Sequence, residues 1–496
     1  MRCRTKVARK TSRKEKREAP EPPASTAAVA KPSPRPAWWA PLADRRERLA
    51  LAVLLAVYFA LGGLYLATVR FGNAPDEAAH LLYVQQLAAG KLPVFRAEDR
   101  ANFEAHQPPL AYAVALPAYL AAGGRGTGEV PRLARYAVRG VSLLLGALVV
   151  TLVFLAVRCW LPGDPALGLA AGAVAAFLPM RLAVFSSLSN DPLTELIFCA
   201  VLLVLGLGLR DGFNRRRALL VGTLIGLGLL TKSTCALLLP VALVALFLEW
   251  RRHRSRSGAY VVNALLLVGM AFVIGGPWLA RNQVLYGDPF ALGAFTAYFG
   301  DRATPEYFMT RQGLTFLEYL RFRVLAFTLR SFWGVFDHMN LWLGGAIDSL
   351  PGLAPGALPA ERLADLLRRG SADAPIYTVL GWVTYALIAG AVAGVVRWWR
   401  GRPEGWQGDT AMVWALCAAL VGAAFLRFNL EYFQAQARYL YPAVLPIAAA
   451  MAMAWLAPWP QRHRGIGAGL FAVALGGLAL YAWQGTLLRF FEKVGW

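Results

Sequence analysis

The stretch "LALAVLLAVYFALGGLYLATVR" (49–70) is a long apolar run, and "FGNAPDEAAHLLYVQQLAAG" (71–90) follows it directly. A transmembrane helix needs about 20 consecutive apolar residues, so the first stretch predicts a membrane span. The second stretch places two acids and a histidine, Asp76, Glu77 and His80, where the chain leaves that span. Because ionisable groups are costly at a membrane, they mark a candidate functional site.

The whole chain has the composition of a polytopic membrane protein. Of its 496 residues, 57% are hydrophobic and 16% are charged, whereas an average soluble domain carries about 25% charged residues. Ten further apolar runs approach the length of a span: 137–157, 165–184, 192–209, 217–231, 235–249, 259–280, 375–396, 411–427, 439–458 and 465–485. We therefore predict an all-α bundle of about eleven transmembrane helices. The two short runs within 217–249 are interpreted as a tight hairpin, with one long kinked helix as the alternative.

The net charge of +22 is concentrated in an N-terminal tail. Residues 1–48 hold fourteen Lys and Arg against five acids, and their high content of Pro and Ala predicts disorder. Because an apolar run follows at once, a cytoplasmic anchor for anionic lipid is favoured over nucleic-acid binding. That run begins too far into the chain for a cleavable signal peptide.

The five cysteines form no CxxC pair. Their pattern therefore predicts neither a disulfide framework nor a metal site.

Loop charges predict the orientation of the bundle. With a cytoplasmic N-terminus, the inner loops are short and mostly Arg-rich, as the positive-inside rule requires: "RCWLPGD", "RDGFNRRR", "EWRRHRSRSG", "RWWRGRPEGWQGD" and "QRHRG". The outer segments then hold most of the acids. Two of them are long, 71–136 and 282–374. The helical spacing of apolar residues in the first predicts two short amphipathic helices that lie along the outer membrane face.

Asp76 has two interpretations. An acid before a helix is favourable as an N-terminal cap. Alternatively, Asp76 is a general base at the membrane edge. His80 lies four residues on and shares its helix face, whereas Glu77 points about 100° away from that face.

Other outer segments supply an acid and three cations. In "SSLSNDPLTELI", Asp191 precedes Pro192 and suits a helix N-terminus, but it lies on the same predicted membrane face as Asp76. Lys232 either extends its amine towards water or binds an anion. Arg281 and Arg438 are also outer cations, against the positive-inside trend. Together these groups predict a phosphate site beside a general base.

Other catalytic motifs are missing from the sequence. There is no P-loop, no HExxH, no GxGxxG after a strand and no Cys/His metal pattern. GxSxG is also absent, which argues against a serine-hydrolase nucleophile elbow.

Several segments resemble the GT-C fold glycosyltransferases, membrane enzymes that use polyprenyl-phosphate sugars. "PDEAAHLLYVQQLAAGKLPV" resembles their first outer loop, and "EAHQPPLAYAVALPAY" resembles a second motif in which His or Lys precedes Pro-Pro-Leu. Segments similar to those of bacterial members follow in the same order: "SLSNDPLTELI", "GLGLLTKST", "PWLARNQVLYGDP", "SFWGVFDHMN" and "QARYLYPAVLP". The ordered set, over about 76–446, resembles glycosyltransferase family 39, which includes protein O-mannosyltransferases and aminoarabinose transferases.

The resemblance implies a GT-C-like domain over 49–496 that transfers sugar on the outer face of a bacterial cytoplasmic membrane, with inversion. It implies that Asp76 is the general base, that Glu77 supports it and that Asp191 occupies a second acidic position. The implied substrate-binding residues are His80, His106, Lys232, Arg281 and Arg438, of which the three cations bind the donor phosphate. A divalent cation is left open as a cofactor. The expected partners are membrane lipids and a glycan, lipid or protein acceptor, with no nucleic acid.

Two other functions compete with this one. A transporter or flippase of lipid-linked or anionic substrates would use the same polar groups. Transporters usually place charges near the membrane midplane and contain internal repeats, whereas here the acids concentrate in the outer segments. An assembly protein without chemistry is the third alternative, and the ordered motifs argue against it.

Overall fold

The computed structural model describes residues 38–96, 98–252, 257–298, 303–344, 375–403 and 405–493. Most of the predicted disordered tail, 1–37, lies outside these residues. The nineteen α-helices among the described residues are α1 Arg45–Thr68, α2 Glu77–Ala88, α3 Leu110–Ala121, α4 Arg132–Trp160, α5 Pro165–Phe177, α6 Pro179–Phe185, α7 Asp191–Asp211, α8 Arg215–Leu229, α9 Leu238–Arg252, α10 Ser257–Tyr286, α11 Leu292–Tyr298, α12 Pro305–Gln312, α13 Phe316–Glu318, α14 Ala326–Trp333, α15 Pro375–Arg400, α16 Gly405–Glu431, α17 Val444–Leu456, α18 Arg464–Ala482 and α19 Arg489–Lys493. Two-residue antiparallel strands, β1 (Val335–Phe336) and β2 (Leu341–Trp342), form the one sheet described.

The predicted all-α membrane bundle is confirmed. Nine helical segments among the described residues are long and apolar enough to cross a membrane. A tenth candidate is the α5–α6 pair, which is bent by 61°. The bend falls at Leu178, which is extended (ψ 119°) because it precedes Pro179, and a residue before proline avoids the helical conformation. The 15-residue α8 reaches only about 22 Å, so the count of eleven spans stays a prediction.

The segment 217–249 is a hairpin, as predicted. Lys232, just after α8, pairs with Asp191 at the start of α7, so α8 returns the chain to the end of the bundle where α7 begins. At the far end of α9, Arg252 donates a hydrogen bond to the carbonyl of Leu209, near the end of α7. Thus α8 and α9 run in opposite directions, which excludes one long kinked helix.

The segment 71–136 contains the two short helices that the sequence predicts. Helices α2 and α3 share a small apolar core with the start of α4. In this core the rings of Tyr83 and Tyr112 are stacked with centroids 3.9 Å apart. The segment is therefore a packed cap at one end of the bundle.

We predict that this cap faces the outside of the cell and that Arg216 faces the cytoplasm. In a variant with Cys3 replaced by Ser, a cysteine at exposed Glu98 should react with a membrane-impermeant maleimide in intact cells. A cysteine at exposed Arg216 should react only after permeabilisation. The reverse pattern would invert the orientation.

Candidate active site

A cavity of about 1460 Å³ opens at the capped end of the bundle. Its walls come from the segment 71–136, the ends of α10 and α16, the loops before α7 and α17 and the loop after α8. The ionisable residues of the lining include Asp76, His80, Glu104, Asp191, Lys232 and Arg438. They come from sites far apart in the sequence, so the fold gathers the chemistry at one place.

The side chain of Asp76 does not cap α2, although the residue precedes the helix. Its backbone is left-handed (φ 64°, ψ 0°), and its side chain makes no capping hydrogen bond. Asp and Asn adopt this conformation more readily than most residues. The carboxylate lines the cavity and accepts a hydrogen bond from Nη2 of Arg438 at 2.6 Å. Asp76 therefore occupies the N-cap position of α2, but the predicted capping hydrogen bond of its side chain is not formed.

Arg438 is held in place by its neighbours in the turn before α17 and by α14. It lies in a 3₁₀ turn, Ala437–Ala443, in which the backbone N–H of Ala437 donates to the hydroxyl of Ser331 on α14. The guanidinium is buried and lies over the ring of Tyr439. Arg438 thus reaches Asp76 from 362 residues further along the chain.

Asp191 and Lys232 form a second ion pair. Nζ of Lys232 donates to Oδ1 of Asp191 at 2.5 Å, and the amine also lies over the ring of Tyr439. Asp191 is the first residue of α7, whereas Asn190 occupies the cap position. Burial lowers the pKa of Lys232, but the carboxylate of Asp191 outweighs this effect and the net shift is upward. Lys232 therefore remains a cation at neutral pH.

Glu104 is a further acid at the cavity wall, and the sequence analysis missed it. It lies in a 3₁₀ segment, Arg100–His106, and is buried. Burial, and then the negative charge of Asp76, raise the pKa of Glu104 to about 8. Its position two residues before His106, within the quoted "EAHQPPL" motif, was the available signal.

The two predicted histidines line the cavity as neutral rings. Nδ1 of His80 lies 2.9 Å from the hydroxyl of Tyr112, and Nδ1 of His106 lies 2.7 Å from the carbonyl of Phe103. Burial lowers the pKa of each imidazole to about 4. Both rings can therefore contribute hydrogen bonds at neutral pH, but not charge.

Glu77 faces away from the cavity. It is fully buried and forms an ion pair with Arg139 of α4, with both contacts at 2.7 Å. Its carboxylate also accepts hydrogen bonds from the backbone N–H groups of Gly72 and Leu188. In this position Glu77 holds the backbone beside Asp76. The predicted support that Glu77 gives Asp76 in catalysis stays a prediction.

Arg281 is not among the residues that line the cavity. Its Nη2 donates to the carbonyl of Pro93 at 2.5 Å, and its guanidinium lies over the ring of Trp278. Two of the three predicted phosphate-binding cations, Lys232 and Arg438, therefore meet at the cavity.

Comparison with known proteins agrees with this architecture. Residues 132–275 match the dolichyl-phosphate-mannose-protein mannosyltransferase family. The archaeal oligosaccharyltransferase AglB from Archaeoglobus fulgidus, solved with an inhibitory peptide and a dolichol-phosphate, is similar over 91% of this chain and 56% of its own, with a TM-score of 0.50 and 14% identity. The chain has the GT-C fold.

Two further solved structures are more distant in shape. ArnT from Cupriavidus metallidurans, bound to undecaprenyl phosphate, has a TM-score of 0.37 at 19% identity and covers 85% of this chain and 77% of its own. The S. cerevisiae protein O-mannosyltransferase Pmt1-Pmt2 complex, bound to the sugar donor, has a TM-score of 0.34 at 18% identity and covers 54% and 37%. No curated protein sequence matches. The chain spans about half the length of the archaeal oligosaccharyltransferases it resembles.

One cluster in this GT-C protein has the spacing of a metal site. Ligand atoms of Asp76, His80 and Glu104 all lie within 4.8 Å of one another. However, Arg438 already binds Asp76, and Nδ1 of His80 already bonds Tyr112. Because a guanidinium on one ligand repels a cation and a second ligand is engaged, the arrangement fits a hydrogen-bonded cluster better than a metal centre.

We predict that the Glu77–Arg139 pair is essential to the stability of the cap. Glu77→Gln leaves the buried guanidinium of Arg139 without its counter-charge, which typically costs about 3–5 kcal/mol. The thermal midpoint of the detergent-purified variant should fall by several degrees. Glu129→Gln, which removes a highly exposed partner of Arg135, is the matched control. A Glu77→Gln midpoint as high as that of the control would contradict the prediction.

Proposed function

We propose that the protein is a membrane glycosyltransferase that moves a sugar from a polyprenyl-phosphate donor to an acceptor hydroxyl in this cavity. The observation that carries the proposal is the left-handed Asp76, whose carboxylate pairs with the buried Arg438 at a cavity that Lys232 also lines. AglB, which shares the fold, was solved with a dolichol-phosphate, and this supports a polyprenyl-phosphate ligand here.

The reaction is a single displacement at the anomeric carbon. The acceptor oxygen forms a bond to this carbon while the bond from the carbon to the phosphate oxygen breaks. Asp76 accepts the hydroxyl proton as general base. The electron pair of the broken bond leaves with the lipid phosphate, whose developing charge Lys232 and Arg438 stabilise. Attack opposite the leaving group inverts the anomeric configuration.

Loop charge supports an outer-face reaction in a bacterial inner membrane. The end of the bundle opposite the cavity carries the arginines of the α7–α8 turn, Arg215, Arg216 and Arg217, and those at the end of α9, Arg251 and Arg252. Under the positive-inside rule this end is cytoplasmic. The cavity then opens outside, and the start of α1, which is one crossing away from Asp76, lies inside.

The buried charges among the spans do not favour the transporter alternative. Arg181 and Glu195 form a buried ion pair among the spans, with a contact of 2.8 Å. However, Glu195 lies only one helical turn from Asp191, near the cavity end of α7. This pair is therefore not the midplane site expected of a transporter.

Asp76→Asn tests the base directly. Asn also tolerates the left-handed conformation and keeps an oxygen that can accept the hydrogen bond of Arg438. Asp191 remains as a nearby negative charge for the buried guanidinium, so the variant should fold and bind donor. Loss of a general base typically costs about 10²–10⁴-fold in rate. The measurement is transfer of radiolabelled sugar from defined polyprenyl-phosphate donors by purified protein in detergent.

Asp99→Asn, at an exposed position of the same outer segment, is the control and should transfer normally. If Asp76→Asn transferred sugar at the wild-type rate, Asp76 would not be the base. If the wild-type protein transferred no sugar from any such donor, the proposed function would be rejected.

The two cavity cations should act mainly on the donor. Arg438→Gln and Lys232→Gln each remove a group that stabilises the leaving phosphate, and loss of one such group costs about 10²–10³-fold in kcat. Steady-state kinetics with donor and acceptor varied separately should show a defect in donor use and little change in acceptor KM. Arg96→Gln, at an exposed position, is the control. Normal donor kinetics in both cavity variants would place the phosphate elsewhere.

A further inference from the structure

Glu104 carries a polar atom with no partner at the wall of the cavity. The residue is 6% exposed, and its Oε2 makes no hydrogen bond among the described residues. The nearest cation-forming group is His80, whose Nδ1 lies 3.8 Å away, too far for a hydrogen bond. A buried oxygen without a partner typically costs about 1–3 kcal/mol. Such an atom, facing a cavity, indicates a ligand that satisfies it.

The distance from Glu104 to Asp76 defines the size of that ligand group. Atoms of the two carboxyl groups lie within 4.8 Å of each other. A hydroxyl oxygen placed between them can lie about 2.7 Å from both, the usual length of an O–H···O hydrogen bond. His80 does not compete for this place, because its Nδ1 bonds Tyr112.

We propose that Glu104 is a second substrate-contacting carboxyl group, which binds a hydroxyl group of the acceptor or of the donor sugar beside Asp76. This inference rests on the proposed glycosyltransferase function and assigns a role to a residue to which the motif resemblance gave none and which lies outside the family match at 132–275. The ligand chemistry is that of a sugar or alcohol hydroxyl next to the reacting centre.

The environment of Glu104 gives it a different protonation state from that of Asp76. Burial and the negative charges of Asp76 and Asp191 raise the pKa of Glu104 to about 8, against the opposite effect of Lys232 and Arg438. At pH 7 Glu104 is therefore mostly a neutral acid, which both donates and accepts hydrogen bonds. Asp76, bound by Arg438, is the carboxylate of the pair. Two carboxyl groups with distinct environments commonly divide their tasks in this way.

Three variants test the inference. Glu104→Leu keeps the approximate size of the side chain but removes its hydrogen bonds, and should lower kcat/KM by about ten- to hundredfold. Glu104→Gln keeps an acceptor and a donor, as the neutral acid does, and should lose only about two- to fivefold. Glu98→Gln makes the same exchange at an exposed position and should behave as wild type. Thermal midpoints of all three, measured in parallel, identify any loss of fold.

Kinetics with each substrate varied separately identify the source of the hydroxyl. A rise in acceptor KM in Glu104→Leu assigns it to the acceptor, and a rise in donor KM assigns it to the donor sugar. Wild-type transfer should also fall as pH rises through about 8, because ionised Glu104 no longer donates and adds negative charge beside Asp76. Glu104→Gln should lack this fall.

Two results would overturn the inference. Wild-type kinetics in a folded Glu104→Leu protein would leave Glu104 as a wall residue without a contact to substrate. A loss in Glu104→Gln as large as in Glu104→Leu would show that the site needs an ionised carboxylate. Glu104 would then act as a base or as the ligand of a cation. Either result, with Asp76→Asn still inactive, rejects this inference and leaves the proposed function standing.

Discussion

The buried ion pair of Glu77 and Arg139 fixes the part of the structure on which the candidate site depends. The guanidinium of Arg139 donates to both carboxylate oxygens of Glu77 and to the carbonyls of Leu66, Val69 and Arg70. These carbonyls lie at the C-terminal end of α1, where helix carbonyls lack intrahelical partners. A buried ion pair is tolerable only when its remaining hydrogen-bonding groups are also satisfied, and here the backbone satisfies them. The interaction thereby joins α1, α2 and α4, and the N–H of Leu188 adds the loop before α7.

The constraint at Glu77 has a direct consequence at its neighbour Asp76. With Glu77 fixed inward and α2 beginning at that residue, the chain enters the helix through a left-handed residue. Asp76 is thus turned from the helix terminus towards the cavity, where Arg438 meets it. The Asp191–Lys232 pair is built in a similar way, from the start of α7 and the loop after α8. Each pair joins different elements, so the geometry of the cavity reflects how the helix ends are packed.

The sequence predicted features that depend on local pattern and missed those that depend on tertiary pairing. Apolar length and loop charge located the spans and the hairpin, because both features can be read from the residues of each segment alone. Helical spacing placed Asp76 and His80 together. It did not reveal that Glu77 pairs with a residue 62 positions away, or that Asp76 adopts a left-handed conformation, since an acid before a helix has the same pattern as a cap. Glu104 was missed because its 3₁₀ segment has no clear periodicity, and the buried environment that makes it distinctive exists only in the fold.

The charges of the cavity stay balanced during the proposed transfer. Asp76 and Asp191 balance Arg438 and Lys232, so the four groups together carry no net charge. A polyprenyl-phosphate sugar brings one negative charge, and the lipid phosphate gains a second when its bond to the sugar breaks. In the proposed mechanism the acceptor proton reaches Asp76 in the same step, and the total charge in the cavity stays constant.

Protonation of Asp76 also weakens its hydrogen bond with Arg438, because the carboxyl group loses its negative charge. In the proposed mechanism the guanidinium would then be free to approach the phosphate when the leaving group acquires its second charge. In the proposed mechanism, the Asp76–Arg438 pair would thus couple the uptake of the proton to stabilisation of the leaving group.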